Sequence, residues 1–504
     1  MIKNFTVSVN NLRAAANACY SKSRHGLLAM FANDERPING KFAIYCIFDG
    51  RNKKEMLLVK AVIDQHAPPE FPSLTPIIPA AAWFEREIND LFGLMPIDNT
   101  DLRPLVLHEN WPLGVYPMRK DFDPRTVVPE AKKEFPMAHA HGEGVFEVPV
   151  GPIHAGIIEP GHFRFSQAGE AIIRLDAKLF FTHRGIEKTL EGMPIKRALF
   201  QVERICGACS VSHTLSFSQA VESVAKVEIP ERAKLIRILI AELERLYNHV
   251  GDVGNLCAGL GFAVGTSNGA RLKEYLMRLN ETLTGNRFLR GMVVPGGVRN
   301  DLPGELLTQI AETIDKLEVD FIQLVELLQE NDQFLDRVNT TGILPYQAAK
   351  ELGVVGVAAR ASGVDYDLRR DKPYGGYEQI KFEVPLHRSG DVAARLWVRV
   401  DEALEATRII RQMVTRIPVT AKKLKEPIPS IQPYSTGIGW SESPRGGNIH
   451  WLMMEEENRI YRYFVRSASY ANWPALTVAV PGNILPDFPL INKSFELCYA
   501  CLDR

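Results

Sequence analysis

The 504-residue sequence has no run of about 18 apolar residues, so no segment reads as spanning a bilayer. Neither sign of charge prevails: 59 Lys and Arg stand against 60 Asp and Glu, a net charge of -1. That balance argues against a surface built for nucleic acid or acidic lipid, and no nucleic-acid partner is expected. The first residues lack the continuous apolar core and cleavage-like stretch of a signal peptide. A cytoplasmic location with reduced thiols follows as the expectation, which demotes disulfides. No internal repeat and no low-complexity tract is present. What the chain does have is length for two or more domains and 46% apolar residues for their cores.

Two apolar runs, FAIYCIFD (42–49) and MLLVKAVID (56–64), flank the polar GRNKKE and read as a hairpin. A Pro-rich passage follows, and residues 80–92 have helical spacing with Gly93 as the stop. The polar, aperiodic PRTVVPEAKKEFPMAHAHGEG reads as a linker. Beyond it, Pro230 suits a helix start, with Leu235, Leu239, Leu243, Leu246 and Val250 on one face. Leu272, Tyr275, Leu276, Leu279 and Leu283 form a second stripe ending at Gly285. The stretches 306–328 and 392–414 give two more. Four such stripes imply a bundle, since each must bury its apolar face against another. The expected fold is α+β: a small N-terminal α/β domain (1–123), a linker (124–147) and a large, mainly α-helical bundle domain with small β elements (148–504).

Of seven cysteines, Cys19, Cys46 and Cys257 stand alone and read as buried small hydrophobes. The other four form two Cys-x-x-Cys pairs, Cys206/Cys209 in RICGACSVSH and Cys498/Cys501 in CYACLDR. Two thiolates at this spacing can grip one metal, and four make a closed site or a cluster site. Zinc ribbons keep their pairs about 15–20 residues apart, and here the pairs bracket most of the large domain. Spacing alone therefore leaves zinc, an iron–sulfur cluster, or chance pairs in a buried core. Arg204 and Arg504, beside the pairs, would help keep thiolates ionised.

RICGACSVSH with CYACLDR resembles the two metal-binding signatures of nickel–iron hydrogenase large subunits, and the whole chain resembles the formate-hydrogenlyase-type, membrane-associated group. WFEREINDLFG and YPMRKDFDP are similar to the 30-kDa-type subunit of respiratory complex I. GPIHAGIIEPGHFRF, HRGIEKTLEG and SPRGGNIHW are similar to its 49-kDa-type subunit. The resemblance implies reversible H2 formation from protons and electrons, with evolution the expected direction. It makes Cys206 and Cys498 terminal nickel ligands, and Cys209 and Cys501 bridges to an iron carrying carbon monoxide and cyanide. It gives base roles to Cys498 and Arg445, a proton-relay role to Glu159, and a hydrogen bond near a bridging sulfur to His213. His162 and His450 read as core histidines.

Three departures mark this sequence. Glu496-Leu497 stands where relatives have Asp-Pro, which puts the hydrogen bonding of Cys498 in question. Arg504 stands where many relatives have a His that helps hold a magnesium or iron ion with the Glu of the RG-x-E motif. The expectation is that Arg504 replaces that cation and pairs with Glu187. HRGIEK itself occurs in hydrogenase and complex I relatives alike. The resemblance also implies a maturation protease that trims the C-terminus behind the last cysteine, and reads an end at Arg504 as the processed form.

With its four paired cysteines assigned, the chain has no thiols for an iron–sulfur cluster. A partner must carry one: a small iron–sulfur subunit like the 20-kDa-type subunit of complex I, with ferredoxin-like electron-transfer subunits. Membrane antiporter-like subunits and a formate dehydrogenase complete the expected partners, with this chain peripheral on the cytoplasmic side of the cell membrane. The competing readings are a complex-I-like quinone-oxidoreductase subunit without a metal site, and a structural-zinc scaffold.

Overall fold

The two apolar runs of the N-terminal domain pair as antiparallel strands, Lys41–Asp49 with Met56–Asp64, in a computed structural model that describes residues 2–53, 55–155, 158–418 and 423–504. Lys54 of GRNKKE and Gly156 and Ile157 of GPIHAGII lie outside the described residues. Ile2–Ser8 adds in parallel to Met56–Asp64, and Leu27–Glu35 adds antiparallel to Lys41–Asp49, closing a four-stranded sheet. The expected helix begins at Ala82, because Pro79 first opens a 3-10 turn, and it ends at Gly93 with φ 66°.

Every residue of Leu27–Glu35 is buried although the strand lies at the sheet edge. The large domain covers it, which also protects the edge from foreign strands. Phe31 stacks on Phe464 with ring centres 4.2 Å apart and tilts over Trp451 at 4.9 Å. Arg466 donates to the Leu28 carbonyl at 2.7 Å. The Lys372 ammonium donates to the carbonyls of Gly50, Asn52 and Glu55 at 2.6, 2.7 and 2.9 Å.

The strand Val145–Val150 begins inside the stretch expected to be linker and pairs with His162–Ala168, which pairs in turn with Ala171–Lys178. Pro149 hides it from a sequence reading; as an outer strand it tolerates a residue without an amide donor. The four expected stripes become the helices Glu231–Ala258, Ala263–Thr284, Gly304–Gln329 and Val392–Arg416, packed as a bundle. The overall class is the mixed α+β expected.

Two details differ from the stripes. Tyr275 is 43% exposed, at the margin of its helix face. Glu231–Ala258 has no solvent face along most of its length: Arg237, Glu242, Glu244, Arg245, Asn248 and His249 are all buried. Their charges meet partners, such as Arg237 to Glu222 at 2.6 Å and Arg245 to Glu242 at 3.1 Å, which is the condition for burying them. Among the described residues no helix is long and apolar enough to cross a membrane.

Candidate metal centre

The first thiol pair sits at the start of the helix Ser210–Ala225, with Cys209 as its N-cap residue. That helix lies against the strand Thr436–Ser443, and glycine makes the approach possible: a Cβ on Gly439 would collide with the Ser216 carbonyl. The second pair opens the short helix Tyr499–Asp503, where the Cys501 amide donates to Cys498 Sγ at 3.3 Å. The two ends meet. Cys206 Sγ lies 3.4 Å from Cys498 Sγ, a partner 292 residues away. The sulfurs of Cys206, Cys209 and Cys501 all lie within 4.8 Å of one another and are buried.

Four thiols this close cannot all ionise unaided. Hydrogen bonds from Cys206 and Cys501, then the charge of Arg445, hold Cys498 and Cys209 well below the usual thiol range. Cys206 is driven up chiefly by its hydrogen bond to Cys209, and Cys501 chiefly by burial. Half the set is thus ready to bind a cation, and the other half would release its protons to one. Four soft sulfur donors converging in a buried space fit a thiolate-held metal centre.

Arg445 occupies the tip of the hairpin between Thr436–Ser443 and Gly446–Met454, after Pro444, where Gly446 takes φ 126°. It is a turn arginine, but a buried one, at 9% exposure. Nη1 lies 3.7 Å from Cys209 Sγ and 3.3 Å from the Asn248 side-chain oxygen, and Nε donates to the Glu496 carbonyl. This resolves the Glu496-Leu497 departure. Glu496 ends its helix in the left-handed region at φ 50°, Arg445 takes its carbonyl, Asn255 donates to its carboxylate at 2.7 Å, and the Cys498 amide donates to Ser469 Oγ at 3.0 Å. Side chains hold the loop.

Glu159 reaches the second pair from an exposed position, accepting from the Ala500 amide at 2.7 Å. Partial burial, then the Cys498 charge, raises its pKa above the carboxylate norm. His213 Nε2 lies 3.6 Å from Cys501 Sγ. Its Nδ1 meets His450 Nε2 at 3.0 Å, and His450 Nδ1 meets the Tyr463 hydroxyl at 2.8 Å. Burial keeps Tyr463 protonated and both histidines neutral, with His213 lowered to about 4. With both rings neutral the chain can run from Tyr463 through His450 and His213 to Cys501 or in reverse, and a thiolate at Cys501 selects the first sense, with His213 donating to the sulfur. Among the described residues His162 Nδ1 meets the Gly151 carbonyl, at 3.2 Å.

Neither flanking arginine serves the thiols. Arg204 turns outward to the Phe200 carbonyl at 2.6 Å and to Glu203 at 3.7 Å. Arg504 lies 2.9 Å from Glu187 and 2.7 Å from Glu87. The cation at the sulfurs is Arg445.

Sequence reasoning missed the residues that hold the two loops. Arg184, inside HRGIEK, donates to the Arg204 carbonyl at 2.8 Å and through its other arm to Ile205 at 2.9 Å and Ala500 at 2.8 Å, stitching one pair to the other. Asp503 accepts from the amides of Phe180 and Thr182 at 3.1 and 2.9 Å. Glu244 accepts from the amides of Val211 and Ser212 at 2.6 and 2.9 Å, at the start of the first-pair helix. Asn248 donates to the Ala208 carbonyl at 2.8 Å. Glu244 and Asn248 stand one turn apart beside the apolar stripe of their helix, and that polar spacing was the available signal.

The family described as Respiratory-chain NADH dehydrogenase, 30 Kd subunit, matches residues 5–128. Its 49 Kd counterpart matches residues 260–438 and 431–504. The description Nickel-dependent hydrogenase matches residues 184–258, which include the first pair. Formate hydrogenlyase subunit 5 of Escherichia coli (strain K12) is 36% identical over 505 residues, spanning 99% of this chain and 88% of that one. Hydrogenase-4 component G of the same organism is 35% identical over 504 residues, spanning 99% and 87%. NADH-quinone oxidoreductase subunit 4 of Thermus thermophilus is 29% identical over 387 residues, spanning 71% of this chain and 94% of that one. Among solved structures, a chain of the membrane-bound sulfane sulfur reductase, an archaeal respiratory membrane complex, aligns with TM-score 0.68 at 29% identity over 73% of this chain and all of that chain.

Proposed function

The chain belongs to the family of formate hydrogenlyase subunit 5 and hydrogenase-4 component G, an oxidoreductase subunit acting on H2, and on that premise we propose that its four converging thiols hold a nickel–iron centre where protons are reduced to H2. The observation that carries the reading is the meeting of Cys206 with Cys498 at 3.4 Å, with Cys209 and Cys501 alongside and Arg445 above them. Cys206 and Cys498 would hold the nickel. Cys209 and Cys501 would also hold the iron, which would carry carbon monoxide and cyanide. When bound, such a centre supplies the redox chemistry that interconverts H2 with two protons and two electrons.

The chain's own residues manage the protons. Cys498, partly exposed and held towards its thiolate form, is the base at the site, and Arg445 places a fixed positive charge beside the sulfurs. Glu159 lies next in line, bound to the Ala500 amide and open to solvent, so it moves the proton between Cys498 and water. With Cys501 ionised, His213 would donate to its sulfur and hold it in place.

Electrons pass to or from a small iron–sulfur partner and ferredoxin-like subunits, in a complex with membrane antiporter-like subunits on the cytoplasmic side. The support is that relatives are subunits of multisubunit membrane complexes of respiratory type. Formate dehydrogenase is the electron source that the name of the 36%-identical relative suggests. Elemental analysis of the purified complex tests the reading: nickel and iron together support it, zinc points to a scaffold, and no metal points to a quinone-type subunit.

A further inference from the structure

We propose that Glu87, carried by the N-terminal domain, is a positioning residue for the second thiol pair, acting through Arg504. Glu87 lies on the helix Ala82–Phe92, and its Oε2 is 2.7 Å from Arg504 Nη2. The other guanidinium arm, Nη1, donates to Glu187 Oε1 at 2.9 Å and to the Val465 carbonyl at 2.8 Å. Arg462 Nη1 lies 2.8 Å from the second oxygen of Glu187, off the line of a hydrogen bond. All four charged side chains are buried, at 1–5% exposure.

Among the side chains two carboxylates face two guanidiniums, so the Arg504 guanidinium already supplies the positive charge between Glu87 and Glu187. Arg504 therefore fills the cation position itself, and the second carboxylate comes from a different domain. A guanidinium fork suits that task, since its two arms bind two carboxylates in fixed directions.

The link reaches the thiols along two short paths. Arg504 follows the helix Tyr499–Asp503, whose first residue comes directly after Cys498 and which contains Cys501. The guanidinium also stands over the Tyr470 ring at 4.9 Å, and Phe84 from the Glu87 helix packs on the same ring at 4.9 Å. Tyr470 belongs to the helix turn whose Ser469 Oγ accepts from the Cys498 amide at 3.0 Å and whose preceding Ser467 donates to the Cys501 carbonyl at 2.9 Å. Glu85, on the same helix as Glu87, serves only its own domain, binding Ser73, Thr75 and Asn99 at 2.6, 2.8 and 2.7 Å. The contrast separates a domain-stability role from the positioning role.

The consequence for the metal rests on the ligand reading above, and the test keeps the two apart. The intact complex is prepared with Glu87→Ala, Glu87→Asp and Glu85→Gln, and amide hydrogen exchange is followed across residues 499–504. Glu87→Ala is expected to speed exchange there about tenfold, while Glu87→Asp restores most of the protection and Glu85→Gln leaves it unchanged. The nickel electron-paramagnetic spectrum is expected to shift in Glu87→Ala and not in Glu85→Gln. Unchanged exchange in Glu87→Ala, an equal effect from Glu85→Gln, or a divalent ion between Glu87 and Glu187 in an experimental map overturns the proposal. Absence of nickel from every preparation would instead defeat the ligand reading, and the exchange result would stand without it.

Discussion

At the residue scale the account divides labour among a few side chains. Cys498→Ala is expected to abolish hydrogen turnover while the N-terminal domain keeps its fold, checked by gas chromatography of H2 and by exchange protection in residues 27–64. Arg445→Lys keeps a charge but loses the fork that reaches both the Glu496 carbonyl and Cys209. It is expected to cut turnover about a hundredfold with nickel content maintained. Glu159→Gln keeps a polar group at the Ala500 amide and removes the exchangeable proton, with a similar loss of about a hundredfold. Normal turnover in Glu159→Gln would remove it from the proton route. Spacing marked the cysteine pairs as candidates, and their proposed ligand roles came from the resemblance. The role of Arg184 was not legible although it lies inside HRGIEK, because an arginine that donates to backbone carbonyls leaves no mark on the sequence of its partners. Arg204 misled for a related reason: adjacency in the chain says nothing about where a long side chain points.

At the element scale, the site depends on how closely the first-pair helix approaches its strand. Gly439→Val would drive a branched side chain into the Ser216 carbonyl. The helix Ser210–Ala225 would have to shift, taking Cys209 with it. The expected cost is about 1–3 kcal/mol, read as a lower thermal midpoint together with reduced nickel per chain. Full stability and full loading would show that the contact does not set the cysteine position. Helices were the most readable elements, since stripes at 306–328 and 392–414 lie within helices at Gly304–Gln329 and Val392–Arg416. Burial of the polar side of Glu231–Ala258 was hidden, because a charge pattern looks the same whether it faces water or partners on neighbouring elements.

At the scale of the whole molecule, the two modules behave as one body around shared contacts. His25, from the first domain, stacks on Tyr366 of the second with ring centres 4.1 Å apart and planes 3° apart. Burial, then Arg466 and Arg24, lowers its pKa from 6.5 to about 3. The folded chain thus keeps His25 neutral where the unfolded chain takes up a proton. Between those limits the unfolded state binds more protons, so stability falls as pH drops below about 6.5, by up to about 1.4 kcal/mol per unit. His25→Phe keeps the stacking and is expected to flatten that slope in urea melts at pH 5 and 6.5; an unchanged slope would contradict the assignment. The sequence suggested two modules from a polar, aperiodic stretch between them. Their joint surface was not, because Phe31, Lys372 and Glu87 each read as ordinary members of their own element until the partner is in place.

The central claim is that sulfurs from both ends of the large module bind one nickel. Nickel K-edge X-ray absorption on the mature complex tests it most directly. The account predicts nickel surrounded mainly by sulfur, with a heavier neighbour fitting iron and with loss of that signature in Cys206→Ala. Nickel bound only by oxygen and nitrogen, or a spectrum that Cys206→Ala leaves unchanged, would contradict it.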